Sequence, residues 1–171
     1  MRRAFILTVS DRSARGERPD VTGERLAERL ADLGFEVHRG LVPDEPEAVA
    51  SAVRAQSTRA RLIVVTGGTG LAPRDVTPQA VAGVLDYEVP GIGEVMRARG
   101  REKTPMADLS RSLGGVAGDA LVLAVPGSPG GALDSLAAVE PLLDHALELL
   151  VGAGAHIHEG PGAQAHEAPG S

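Results

Sequence analysis

Leu62-Ile-Val-Val-Thr-Gly-Gly-Thr-Gly70 is the stretch of sequence that decides the fold. An unbroken apolar run of this length, rich in β-branched residues, is typical of a strand buried on both faces. The glycines that follow it would leave backbone N–H groups free at the carboxyl end of the strand, where open α/β sheets bind ligands. A tight turn that needs glycine only for its backbone angles is the alternative. The stretch therefore predicts an α/β protein and a candidate anion-binding loop.

Three more apolar runs predict strands on either side of this one. They are Ala4–Val9, Phe35–Val42 and Leu121–Val125. Segments of helical period separate the runs, and such alternation is typical of parallel strands joined by crossover helices. We therefore expect a three-layer α/β/α domain with a mostly parallel central sheet.

The helices are predicted from apolar spacing and from their start and stop signals. The first begins near Asp20 or Thr22, buries Leu26, Leu30 and Leu33, and ends at Gly34. Further helices are predicted from Pro43–Pro46 to about Gln56 with Val49 and Val53 inward, from a Thr77 cap to about Leu85, over Gly91–Arg101, over Thr104–Ser112, and over about Ala132–Val151. Pro141 must kink or restart the last of these, because it lacks the interior hydrogen-bond donor. Its stripe of Leu133, Leu136, Leu143 and Leu147 predicts core or subunit contact.

Composition excludes several classes of protein. The 171 residues fit one domain, and the absence of cysteine excludes disulfides and cysteine metal sites. A net charge of −6 argues against a general nucleic-acid surface. The first apolar run lies too close to Ser10-Asp11-Arg12 to resemble a secretory signal, and no run approaches the length of a membrane span. We expect a cytoplasmic protein without membrane or nucleic-acid partners.

We expect the domain to cover residues 1–151 and a flexible C-terminal tail to cover residues 152–171. The tail is rich in Gly, Ala, Pro, His and Glu without a helical or strand period. His156 and His158 lie in it with no complementary ligands at a matching spacing, so we assign them no metal site.

Two other segments place polar groups at the predicted carboxyl ends of strands. Pro126-Gly-Ser-Pro-Gly-Gly131 follows the last strand, and Ser10-Asp11-Arg12 follows the first. Arg12 and Arg111 are candidate forks for phosphate. Each feature alone is compatible with an ordinary strand exit or a solvated arginine. Their shared position predicts a phosphate site.

A set of motifs in a fixed order resembles the MogA/MoaB family of molybdenum cofactor biosynthesis. The motifs are Ile6–Arg12, Val42–Glu45, Thr66–Gly70, Arg74–Pro78, Pro90–Glu94, Leu109–Arg111 and Pro126–Pro129. They cover about residues 3–151. The resemblance implies a three-layer α/β/α domain that assembles as a homotrimer or a dimer of trimers, with possible contacts to other enzymes of the pathway. It also implies a reaction in which molybdopterin and ATP give adenylylated molybdopterin and pyrophosphate.

The resemblance also assigns roles to residues. It implies that Asp44 and Asp75 are catalytic and hold Mg²⁺. It implies that molybdopterin or nucleotide phosphates are bound by Ser10, Asp11, Gly67, Gly68, Thr69, Gly70, Ser110, Arg111, Gly127 and Ser128. Ser128 departs from relatives that often carry an amide there.

The same acids also have ordinary structural explanations. Asp44 with Glu47 has the spacing of a helix cap, and Asp75 could cap a helix or pair with Arg74. The competing function is a catalytically silent molybdopterin-binding or scaffolding protein. Because the chain retains both acids, the sequence favours the enzyme.

Overall fold

The computed structural model of the chain describes residues 2–156. Its strands are β1 (Arg2–Val9), β2 (Phe35–Val42), β3 (Leu62–Thr66), β4 (Tyr87–Glu88), β5 (Leu113–Ala117) and β6 (Ala120–Val125). They form one sheet in the order β2-β1-β3-β6-β5-β4. Strands β2, β1, β3 and β6 are parallel, whereas β5 is antiparallel to β6 and β4 is antiparallel to β5. The carboxyl ends of the four parallel strands therefore meet at one edge.

Helices cover both faces of the sheet. They are α1 (Asp11–Ala14), α2 (Val21–Asp32), α3 (Pro46–Gln56), α4 (Thr77–Ala82), α5 (Pro90–Arg101) and α6 (Pro129–His156), with a 3₁₀ helix over Pro105–Leu109. One core packs α2, α5 and α6 against the sheet, and the other packs α3 and α4 against its opposite face. The predicted three-layer α/β/α fold is confirmed.

Strand β3 shows how the sequence builds two cores at once. Leu62 and Val64 join the core of α2 and α6, while Ile63 and Val65 join the core of α3 and α4. Successive side chains of a strand point to opposite faces, so a strand covered on both sides must be apolar throughout. Complete burial of one such side chain contributes roughly 1.5–3 kcal/mol.

The predicted signals around α2 are confirmed. Asp20 is the N-cap, and its side chain accepts a hydrogen bond from the backbone N–H of Gly23. Leu26 and Leu30 are fully buried. The chain leaves the helix through Gly34, whose φ of 84° lies in the left-handed region that favours glycine. Helix α4, by contrast, has Val76 and not the predicted Thr77 as its N-cap residue.

Strands β4 and β5 were not predicted. Strand β5 contains Gly114 and Gly115, which weaken a strand signal. A Cβ on Gly114 would lie 2.4 Å from the side chain of Ile92, and a Cβ on Gly115 would lie 2.5 Å from the carbonyl oxygen of Tyr87. The glycines therefore permit close approach of α5 and β4.

The predicted helix over Thr104–Ser112 is wrong. Only the 3₁₀ helix Pro105–Leu109 forms, and the hydroxyl of Thr104 caps it by accepting from the N–H of Met106. Beyond it the backbone N–H of Arg111 donates to the carbonyl of Thr69 at 2.9 Å. This bond to the glycine loop replaces the helical bond that the pattern predicted.

Helix α6 is longer than predicted at both ends. It begins at Pro129 instead of Ala132 and continues through Pro141 to His156, past the expected end at Val151. The rest of the expected tail, with His158, lies outside the described residues. Leu136, Leu143 and Leu147 are buried, which confirms the predicted core stripe. No helix in residues 2–156 is both long and apolar enough to cross a membrane.

Candidate active site

Three loops at the carboxyl edge of the sheet touch one another through glycine. Gly67, directly after β3, has a φ of 103°. A Cβ on Gly67 would lie 2.4 Å from the carbonyl oxygen of Val9 at the end of β1, and a Cβ on Gly127 would lie 3.2 Å from Gly67 Cα. A larger residue would separate the loops that follow β1, β3 and β6. The predicted meeting of these loops is thus a contact between backbones.

Two threonine hydroxyls fix the loop after β6. Thr66 Oγ1, at the end of β3, donates to the carbonyl of Pro126 at 2.7 Å, and Thr22 Oγ1 of α2 donates to the carbonyl of Gly127 at 2.8 Å. Both threonines are buried. These two bonds tie the loop to the end of β3 and to α2.

A cavity of about 430 Å³, named the small cavity, opens beside these loops. Its charged lining residues are Asp11, Arg12, Arg18, Asp20, Asp44, Arg74 and Asp75. The carboxyl group of Asp20 is engaged: it accepts from Thr8 at 2.9 Å and from Arg39 at 2.8 Å. Arg12, Arg18 and Arg74 are exposed. The cavity therefore combines carboxylates with solvent-facing guanidinium groups, which suits a polyphosphate and a divalent cation.

Asp44 and Asp11 are joined by two hydrogen bonds, in each of which one side chain accepts from the backbone N–H of the other residue. The N–H of Asp11 donates to Asp44 Oδ2 at 3.0 Å, and the N–H of Asp44 donates to Asp11 Oδ1 at 2.9 Å. The other oxygen of Asp44, Oδ1, lies 3.6 Å from where a Cβ on Gly68 would be. The alternative role of Asp44 as the cap of α3 is wrong, because Glu45 occupies the N-cap position without a side-chain cap bond.

Asp75 is fixed by its own loop. Its Oδ2 accepts from the backbone N–H of Ala72 at 2.9 Å and lies 2.8 Å from where a Cβ on Gly70 would be. Arg111 supports the same loop, donating from Nε to the carbonyl of Gly70 at 2.9 Å and from Nη2 to the carbonyl of Asp75 at 2.6 Å. The residue that the sequence proposed as a phosphate fork thus holds the backbone that carries Asp75.

The large cavity, of about 820 Å³, lies on the other side of the glycine loop. Leu71, Met96, Met106 and Leu109 give it apolar walls, and Arg97, Lys103 and Asp134 add charge. Gly68, Asp75, Gly127 and Ser128 line both cavities. The two spaces therefore meet at the glycine loop.

The structure brings most of the predicted site residues together. The small cavity is lined by Ser10, Asp11, Asp44 and Gly67, the large cavity by Thr69, Gly70 and Ser110, and both by Gly68, Asp75, Gly127 and Ser128. Arg111 lines neither. What these residues bind remains a prediction.

The predicted serines also have local structural roles. Ser10 caps α1 by accepting from the N–H of Ser13 at 3.2 Å, and Ser128 accepts from the N–H of Gly131 at 3.2 Å at the start of α6. Ser110 is paired with Ser112 through their hydroxyl oxygens, 2.8 Å apart. A hydroxyl that accepts one bond can still donate to a ligand, so these roles are compatible with binding.

Sequence reasoning missed Arg97, Lys103 and Asp134 in the large cavity, and Thr22, which lines the small cavity and donates to the carbonyl of Gly127. Arg97 donates from Nη1 to the carbonyl of Ser112 at 2.8 Å. A signal was available for this region: Gly118-Asp119 between two apolar runs is typical of a two-residue hairpin. That hairpin would have identified β5 and placed the segment before it beside the loop after β6.

Residues 5–145 match a family model described as a probable molybdopterin binding domain. This chain belongs to that family. The match spans nearly all of the described fold, including both cavities, so the resemblance seen in the motifs is confirmed.

Known relatives cover the same region. The chain is 41% identical over 152 residues to a molybdenum cofactor biosynthesis bifunctional protein of Synechococcus elongatus, covering 88% of this chain but 48% of that protein. It is 32% identical over 159 residues to a molybdopterin adenylyltransferase of Helicobacter pylori, covering 90% of each. A crystal structure of the molybdopterin biosynthesis enzyme MoaB from Thermus thermophilus is 53% identical, with a TM-score of 0.83 and coverage of 89% of this chain and 98% of that one. The chain thus spans about half of one relative and nearly all of the others.

Proposed function

We propose that the protein is a magnesium-dependent molybdopterin adenylyltransferase of molybdenum cofactor biosynthesis. The observation that carries the proposal is the meeting of an apolar-walled cavity and a charged cavity at Gly68, Asp75, Gly127 and Ser128. An enzyme that joins an uncharged ring system to a nucleotide through their phosphates needs such a junction. The name of the Helicobacter pylori relative supports the same reaction.

Each cavity suits one substrate. The walls of the large cavity, with Met96 and Leu109, favour the heteroaromatic ring system of molybdopterin. The small cavity, with Arg12, Arg18 and Arg74, favours the phosphates of ATP. The backbone of the Gly67–Gly70 loop lies between them, where the two phosphate groups must meet.

Asp44 and Asp75 are proposed to hold the magnesium ion. Within residues 2–156, no three His, Cys, Asp or Glu side chains converge as an ion bound entirely by protein would require. Mg²⁺ is usually bound by one or two carboxylates and completes its shell with water and substrate phosphates, so a pair of acids in the small cavity fits it. When bound, the ion would shield the negative charges of the two substrates from each other.

The chemistry needs no nucleophilic side chain. An oxygen of the terminal phosphate of molybdopterin attacks the α-phosphorus of ATP, a new P–O bond forms, and the bond to the β-phosphate breaks with release of pyrophosphate. Positioning and charge neutralisation supply most of the catalysis in such transfers. Thr22 and Thr66 hold the loop of Gly127, and Arg111 holds the loop of Asp75. The backbone N–H groups of the first loop and the carboxylate of Asp75 are therefore positioned before substrates bind.

Incubation of the purified chain with ATP, MgCl₂ and molybdopterin tests the proposal directly. Mass analysis should find adenylylated molybdopterin and pyrophosphate, and chelation of magnesium should abolish both. A chain that binds molybdopterin but forms no adenylylated product would instead be the silent binding protein.

The assembly and location also remain proposals. We propose a homotrimer or a dimer of trimers in the cytoplasm, with possible contacts to other enzymes of the pathway. Sedimentation at micromolar concentration should give a mass of three or six chains. A monomer at that concentration would contradict the proposed assembly.

A further inference from the structure

Lys103 and Asp134 form a closely matched pair at the large cavity. The Nζ of Lys103 lies 2.8 Å from Asp134 Oδ1 and 2.7 Å from Asp134 Oδ2, so one ammonium group bridges both carboxylate oxygens. Both residues line the cavity. Lys103 is the one lysine in the sequence. The pair places a hydrogen-bond donor beside an acceptor in the large cavity.

Asp134 is the more buried member of the pair. Asp134 lies near the start of α6, and its side chain is 20% exposed, against 63% for Lys103. The ammonium group of Lys103 occupies the side of the carboxylate that faces both oxygens, so a ligand that donates to both oxygens must take its place there and leave Lys103 to donate to a neighbouring acceptor. Leu71, Met106 and Leu109 line the same cavity although they are 66%, 62% and 52% exposed. Exposed apolar side chains and a carboxylate in one cavity suit a flat ring with a polar edge.

A 2-amino-4-oxo pteridine has such an edge. Its amino group and the neighbouring ring N–H are two adjacent donors, and its carbonyl oxygen is an acceptor. A carboxylate can accept from both donors, and an ammonium group can donate to the carbonyl. Adenine presents an amino donor next to a ring-nitrogen acceptor, so the same carboxylate would face a lone pair.

We propose that Asp134 and Lys103 determine specificity by reading this ring edge, with Asp134 accepting from the two donors and Lys103 donating to the carbonyl. The inference rests on the proposed function, since it assigns the ring of molybdopterin to the large cavity. It also explains how the two substrates are sorted, because the carboxylate disfavours adenine there. A pair that only ties the segment after α5 to α6 would show no such preference.

Fluorescence titration with 6-hydroxymethylpterin and 6-hydroxymethyllumazine tests the inference on the full chain. Lumazine keeps the 4-oxo group but replaces the 2-amino donor by a carbonyl. The wild-type chain should bind the pterin more tightly. Asp134→Asn should weaken pterin binding by about 10- to 100-fold, as expected for the loss of hydrogen bonds to a charged group, and should remove most of the preference over lumazine. Lys103→Met should weaken both rings and keep the preference.

Asp144→Asn is the matched control. Asp144 also lies on α6 and forms an ion pair, with Arg2, but it does not line the large cavity. The variant should leave both affinities unchanged. Equal binding of the two rings by the wild-type chain, no binding up to millimolar concentration, or a preference that survives Asp134→Asn would each overturn the inference. Adenylylation of molybdopterin without a ring preference would remove this inference alone, whereas a preference without adenylylation would remove the proposed function alone.

Discussion

Replacing Asp44 by asparagine separates the proposed catalytic role from a structural one. The amide keeps an oxygen that can accept the N–H of Asp11, which Asp44 Oδ2 accepts at 3.0 Å. A charge-assisted bond becomes a neutral one, which costs about 1 kcal/mol. For a domain of this size that corresponds to a fall in Tm of about 2–4 °C. The variant should therefore remain folded at the assay temperature.

Activity should fall much further than stability. The amide removes one of the two acids proposed to hold magnesium. A bound metal ion contributes several kcal/mol of transition-state stabilisation, so a loss of about 100-fold or more in kcat/KM is expected. Product is measured by mass analysis across a magnesium titration, and Tm is measured on the same preparation.

Glu45→Gln is the control for Asp44→Asn. Glu45 is the neighbouring acid, it is exposed, and it makes no side-chain cap bond at α3. Its neutralisation should change neither Tm nor turnover. A folded Asp44→Asn variant with near-wild-type turnover would refute the catalytic assignment and leave Asp44 as a tie between two loops.

Asp75→Asn should likewise remain folded but lose roughly 100-fold or more of kcat/KM, and the double variant with Asp44→Asn should lose little more, because both acids serve one ion. Gly67→Ala should lower the free energy of unfolding by about 2–4 kcal/mol, because the φ of Gly67 is 103° and the new Cβ would meet the carbonyl oxygen of Val9. The measurement is chemical denaturation, and an unchanged midpoint would show that the loops can separate. Gly91→Ala, with nothing within 4 Å of its new Cβ, should instead stabilise α5 by about 0.5 kcal/mol. Thr66→Val should raise KM and lower Tm, because the carbonyl of Pro126 loses the hydroxyl that donates to it. Thr66→Ser keeps a hydroxyl and should leave both values unchanged.

The sequence predicted those parts of the fold whose signals are local. Strand β3 is an unbroken apolar run, and α2 has a capping acid, a leucine stripe and a terminal glycine. Strand β5 was missed because its two glycines weaken the pattern, and they are required by contacts with Ile92 and Tyr87 that are distant in sequence. Strand β4 has two residues, too few for any period to appear.

The same distinction applies to the candidate site. Motif order identified the loops at the strand ends, but it could not predict what each side chain contacts. Arg111 was predicted to bind phosphate, and no local pattern indicated that it also bonds to two carbonyls 41 and 36 residues away in the sequence. The pairing of Lys103 with Asp134 depends on how α6 packs near the end of α5, which no local pattern encodes.

The antiparallel direction of β5 determines which residues next to this strand reach the large cavity. Because β5 is antiparallel to β6, the residues that precede it, and not those that follow it, lie at the edge where the parallel strands end. Leu113 is opposite Ala124, so Ser112 lies beside the exit of β6 toward Gly127. The tight turn at Gly118-Asp119 lies at the other end of β5. The number of residues between this turn and Ser112 therefore determines where Ser112 lies in the lining of the large cavity. Deleting one residue of β5 would draw Ser112 back by about 3.3 Å and turn its side chain to the other face, so a change far from either cavity would alter the part of the large cavity that Ser112 lines.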